Sequence, residues 1–134
     1  VTTVLGALTL TGIAALMTIE GATTGEVFTA FVTEVLAPRL RRGDVVVLDN
    51  LGAHKVEAAC SAIRAAGARM IFQPPYAPEV NPIEHAWSKI KNDVRKAEPR
   101  SIGELDVAIA NAAAKVTRGD AVGWFSHCGY QVTR

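Results

Sequence analysis

Charge and cysteine are what this sequence is short of. No Lys or Arg occurs before Arg39, and residues 1–19 carry no charged side chain. An uncharged stretch of that length invites a membrane span or a secretory signal. The stretch holds five Thr and two Gly with no basic segment ahead of them, which excludes both readings. Thr9-Leu10-Thr11-Gly12 puts turn chemistry in its middle. Two strands joined by a short turn fit better, since strands covered on both faces read as continuous apolar runs. Cysteine occurs twice, at Cys60 and Cys128, without C-x-x-C spacing. That argues against a structural zinc or a disulfide framework and for two reduced thiols. No repeat, linker or low-complexity tract divides the chain.

What is present is one domain's worth of globular sequence. The chain has 134 residues, of which 49% are hydrophobic and 20% charged, so it can bury a core and is not of the disordered class. The net charge of +1 is unevenly spread: residues 1–37 hold three Glu and no base, and all 14 basic residues follow. This mild bias toward polyanions is too weak alone to argue nucleic-acid binding. The chain begins at Val1, not Met, and is expected to be a piece of a longer reading frame.

Periodicity and punctuation lay out the elements. Strands are expected at Thr3–Leu10 and Ile13–Glu20. A helix follows from an N-cap at Thr24 to about Leu40, with Pro38 straining its last turn. Val45–Asp49 is a short apolar strand, Glu57–Ala66 a helix closed by Gly67, and Arg69–Gln73 another strand. Three prolines in five residues make Pro74–Val80 a stiff loop. Asn81-Pro82-Ile83-Glu84 then opens a helix to about Ala97, with Asn at the N-cap, Pro at N1 and Glu at N3. Its apolar stripe is Ile83, Ala86, Trp87, Ile90 and Val94, with Trp87 expected in the core. Ser101 and Glu104 form a second capping box, opening a helix to about Val116, and a short last helix starts near Asp120. Strands alternating with helices after a hairpin give an α/β fold.

Two carboxylates stand out. Asp49 ends a strand, where ligands of open α/β sheets bind, although Asp-Asn is also ordinary turn chemistry. Glu84 sits in a helix's first turn, a place that tolerates and positions a carboxylate, although capping explains a Glu there as well. Between them lie 34 residues. Two such carboxylates can share Mg²⁺, which prefers oxygen ligands, and ions so held act on phosphodiesters. Around the pair, Asn50, His54, Asn81 and His85 are accessory candidates, each with a turn, cap or surface role as the plainer reading. Lys89, Lys91, Arg95 and Lys96 crowd the helix of Glu84. They suit DNA phosphates or, equally, a solvated face.

As a set these residues resemble a known family. Val45-Val46-Val47-Leu48-Asp49-Asn50 with His54, then Gln73-Pro74-Pro75-Tyr76-Ala77-Pro78-Glu79-Val80-Asn81-Pro82-Ile83-Glu84, then Trp87 and Lys91, are similar to the DDE transposases of bacterial insertion sequences. These belong to the mariner-like superfamily, and the 34-residue gap matches its DD34E members. The resemblance spans about Val4 to Lys96. It implies a ribonuclease-H-like mixed sheet flanked by helices and two divalent ions, Mg²⁺ with Mn²⁺ as the alternative. It further implies cleavage and strand transfer at transposon ends. Asp49 would be the second acid of the triad and Glu84 the third.

It also implies DNA as partner, self-association of the full-length protein, no membrane, and a cytoplasmic, nucleoid-associated location in a bacterium. One departure is plain: no Asp precedes Asp44, whereas the family's first acid lies on a strand before the opening hairpin. Residues 1–134 are therefore expected to be the C-terminal part of a catalytic domain. They would lack its first, central strand and the helix-turn-helix domain that precedes it. Two other readings stay open: an inactive truncated remnant of a transposase, and another ribonuclease-H-like nuclease.

Overall fold

The uncharged opening residues form a hairpin in the computed structural model, which describes residues 2–49, 56–73 and 81–130. Strands β1 (Thr2–Thr9) and β2 (Gly12–Glu20) pair antiparallel as a two-stranded sheet. The hydroxyl of Thr9 closes the turn by donating to the carbonyl of Gly12 at 3.2 Å. Gly12 has φ +131, and a Cβ there would come within 3.0 Å of the Val116 carbonyl oxygen. Only Gly meets both demands without strain.

The chain divides into two compact units, one of residues 1–6 and 15–77, the other of residues 7–14 and 78–134. In the first, helix α1 (Gly25–Phe31) begins where Thr24 Oγ1 accepts from the Val27 N–H at 3.2 Å. It continues as a π-helical stretch, Val32–Leu36, and a 3₁₀ turn, Ala37–Arg39. Pro38 has no N–H to give the helical ladder, so the chain changes winding around it instead of ending cleanly. Phe28, Phe31, Val32 and Leu36 are buried.

Asp44 then sets the start of strand β3 (Val45–Leu48). Its carboxylate accepts from the Arg41 N–H at 2.7 Å, and its carbonyl accepts from the Arg69 N–H at 2.8 Å. That second bond begins a parallel ladder with β4 (Arg69–Phe72), pairing Val45 with Arg69 through Leu48 with Phe72. Helix α2 (Glu57–Ala65) makes the crossover and buries Ala59, Cys60 and Ile63. Gly67 ends it at φ +87, where a Cβ would meet Arg42 Cα at 3.0 Å. Among the described residues β3 and β4 share no ladder with the hairpin.

Beside its share of the hairpin, the second unit holds three helices among the described residues: α3 (Ile83–Ala97), α4 (Ile102–Ala114) and α5 (Arg118–His127). The two small sheets, one antiparallel and one parallel, and the five α-helices of the described residues are the mixed α/β architecture of part of a ribonuclease-H-like domain. The expected elements are present with ends shifted by one to three residues. Trp87 is half-buried, while Ala86 and Ile90 carry the buried face of α3. The Pro74–Val80 loop lies outside the described residues. No helix among the described residues is long and apolar enough to cross a membrane.

Candidate functional site

Asp49 is placed by β3. The ladder continues past Phe72 with the Gln73 N–H donating to the Leu48 carbonyl at 2.8 Å. The backbone is thus fixed up to the residue before Asp49, which is half-buried at the strand's carboxyl end. Asn50 and His54 lie outside the described residues.

Glu84 is placed by the start of α3. Asn81 is buried, and its Oδ1 accepts from the Ile83 N–H at 3.2 Å. Pro82 already has helical dihedrals, φ −57 and ψ −28. Asn81 therefore caps the helix and Pro82 takes its first position, as its fixed φ favours. The N–H groups of Glu84 and His85 donate to the carbonyls of Asn81 and Pro82 at 3.1 and 3.2 Å. Glu84 is exposed, beside the partial positive charge of a helix N-terminus.

Along α3 the exposed residues Ser88, Lys91 and Arg95 follow Glu84 at helical spacing, and Lys96 is exposed beside them. Arg95 and Lys96 fall in the last turn, where cations complement the dipole. Lys89 differs from these three bases. Its ammonium donates to the carbonyl of Lys115 at 3.0 Å and to the carboxylate of Asp120. Asp120 also closes a capping box, accepting from the Thr117 N–H at 3.1 Å while Thr117 Oγ1 accepts from the Asp120 N–H at 3.0 Å. The Lys89 hydrogen bond, and after it that of the Thr117 N–H, holds the Asp120 carboxyl below its ordinary 3.8.

His85 is no bare surface residue. Its ring stacks on Trp124 with centroids 6.4 Å apart and planes 13° apart. It meets His127 edge-on at 5.3 Å and 86°. Sequence reasoning missed Asp120, Trp124 and His127 as partners of α3. Their i, i+4, i+7 spacing puts them on one face of α5 but does not say which helix that face meets. Cys60 is buried and Cys128 half-buried, and burial pushes the Cys128 thiol up from its ordinary value.

Asp49 and Glu84 offer carboxylate oxygens, the donor type that hard divalent cations take. Among the described residues no group of three His, Cys, Asp or Glu side chains gathers to hold a metal ion. Asp49 belongs to the first compact unit and Glu84 to the second.

Residues 1–106 match the family described as DDE superfamily endonuclease. The match covers most of the chain and includes both Asp49 and Glu84, so the chain belongs to that family. Its members act on DNA and generally use divalent metal ions. No curated protein matches the chain.

Proposed function

We propose that this chain is the C-terminal part of a transposase catalytic domain of the mariner-like, DD34E type, the kind carried by bacterial insertion sequences. The complete protein cleaves DNA at transposon ends and transfers the strand to a target. One observation carries the reading. Within the span that matches the endonuclease family, an Asp ends a parallel strand and a Glu opens a helix, with 34 residues between them.

Asp49 and Glu84 would hold the divalent cation, Mg²⁺ or Mn²⁺. When bound, it supplies Lewis-acid activation of a water or DNA 3′-hydroxyl and stabilisation of the leaving oxygen. The chain's own contribution is to hold its ligands. The β3–β4 ladder fixes the backbone before Asp49, and the Asn81 cap fixes the turn of Glu84. Exposed Lys91, Arg95 and Lys96 would neutralise phosphates of the bound duplex. Lys89, held by Asp120 and the Lys115 carbonyl, has its charge balanced by that carboxylate and would contact phosphate only on leaving it. Among the described residues the two sheets share no ladder, which suits a ribonuclease-H-like sheet whose central strand is not among these residues.

The test is cleavage of transposon-end DNA in Mg²⁺. A protein that carries an Asp on a strand ahead of β1 should cut, and Asp49→Ala or Glu84→Ala should abolish cutting. The 134-residue chain alone should not cut, because no Asp precedes Asp44. Cutting by the isolated chain at the longer protein's rate would overturn the reading.

A further inference from the structure

The helix of Glu84 is gripped from one side. His85 follows Glu84 directly, and Lys89 lies one turn beyond, four residues on, so the two share a face of α3. Both are engaged by α5 or the turn before it. Trp124 and His127 hold the His85 ring, and Asp120 with the Lys115 carbonyl holds the Lys89 ammonium. Asp120, Trp124 and His127 are i, i+4 and i+7 on α5.

This face is not what buries α5. Ala121 and Val122 do that, at 0% and 8% exposure. Trp124 is half-buried and His127 is exposed. Two ring contacts and an ion pair along one line give α3 a defined rotation and stop its first turn from fraying. That turn needs the support, because its amides rest on the i→i−3 bonds from Glu84 and His85 to Asn81 and Pro82.

We propose that α5 positions Glu84: His85, Trp124 and His127 are positioning residues that, with the Lys89–Asp120 pair, lock the first turn of α3. What the position serves rests on the ligand role proposed for Glu84; the lock itself does not. All of α5 lies beyond residue 106, the end of the span that matches the family. Tolerances for a metal ligand are about 0.5 Å, which a fraying helix end does not meet.

Amide hydrogen exchange of the 134-residue chain tests the lock without metal or DNA. Trp124→Ala should speed exchange at the Glu84 and His85 amides by about tenfold or more. Amides of Val94 on the same helix and of Ile63 in the other unit should stay at wild-type rates. Trp124→Phe keeps a ring for His85 to stack on and should restore protection to within about twofold of wild type. His127→Ala and Asp120→Ala, milder changes at the edge of the lock, should each loosen the same two amides.

Equal acceleration of every α3 amide, or of none, in all three alanine variants would overturn the proposal. So would Trp124→Phe exchanging like Trp124→Ala. In a longer protein that cuts DNA, Trp124→Ala should slow cleavage about tenfold with DNA affinity unchanged, and Trp124→Phe should rescue it. If Glu84→Ala left cleavage intact, the ligand reading would fail. The exchange result would still decide the lock.

Discussion

Asp120→Ala tests how much the α3–α5 node contributes to stability, and its size can be worked from the parts. The variant removes an acceptor for the Thr117 N–H, a hydrogen bond of about 1 kcal/mol. It removes an anion from the first turn of α5, contributing about 0.3–1 kcal/mol. It also breaks the pair with Lys89. Both side chains are about one-third exposed, 33% for Lys89 and 31% for Asp120. Water screens such a pair, which holds the coupling to about 0.2–1 kcal/mol.

The lysine left behind still donates to the Lys115 carbonyl and still reaches water. The larger penalty of about 3–5 kcal/mol for a stranded buried charge therefore does not apply. The expected loss is about 2 kcal/mol at neutral pH. Its pH dependence has a definite sign. The folded pKa of Asp120 is depressed, so its contribution is present above the unfolded value of 3.8 and lost as pH falls through the folded value. Urea melts of wild type and Asp120→Ala, at about pH 6.5 and about pH 2, measure this directly. Lys89→Met and the double variant complete a cycle, whose coupling should be about 0.2–1 kcal/mol. A loss of equal size at both pH values, or one of about 4 kcal/mol or more, would refute the reasoning, as the parts supply about 3 kcal/mol at most.

Other outcomes follow from the same structure. Ile63 is fully buried, so Ile63→Ala should cost about 2–5 kcal/mol in denaturant melts. Trp87 is only half-buried, so Trp87→Ala should cost less than the roughly 3–5 kcal/mol of a fully buried Trp. Gly67→Ala places a Cβ at positive φ against Arg42 and should destabilise by more than about 1 kcal/mol, read by thermal melts. In a longer protein that binds DNA, Lys91→Ala with Arg95→Ala should weaken binding to all sequences alike. The salt slope should fall by about 0.9 for each phosphate no longer neutralised, and folding stability should change by no more than about 0.5 kcal/mol. An unchanged slope would return those residues to a solvated helix face.

Much of this was legible in the sequence because local chemistry and fold agree. Thr24, Ser101 and the Asn81-Pro82 pair mark helix starts by capping, which is a short-range effect. Asp49 and Glu84 could be singled out because each ends or opens an element that neighbouring residues define. Pairings between distant residues were less legible. Lys89 reads as one of four bases on a helix, and nothing nearby in sequence says that Asp120 claims it. His85 reads as a surface histidine for the same reason, since its partners Trp124 and His127 come from another helix. The change of winding at Val32–Leu36 was half-visible: Pro38 announced a disturbance but not its form.

Metal-specificity switching at Glu84 tests the central claim most directly. Glu84→Cys replaces a hard oxygen donor by a thiolate, which coordinates Mn²⁺ far better than Mg²⁺. In a protein that carries the complete catalytic domain, the variant should fail to cut transposon-end DNA in Mg²⁺ and regain cutting in Mn²⁺. Asp49→Cys should behave the same way. Full activity of either variant in Mg²⁺ would contradict the assignment of Asp49 and Glu84 as metal ligands.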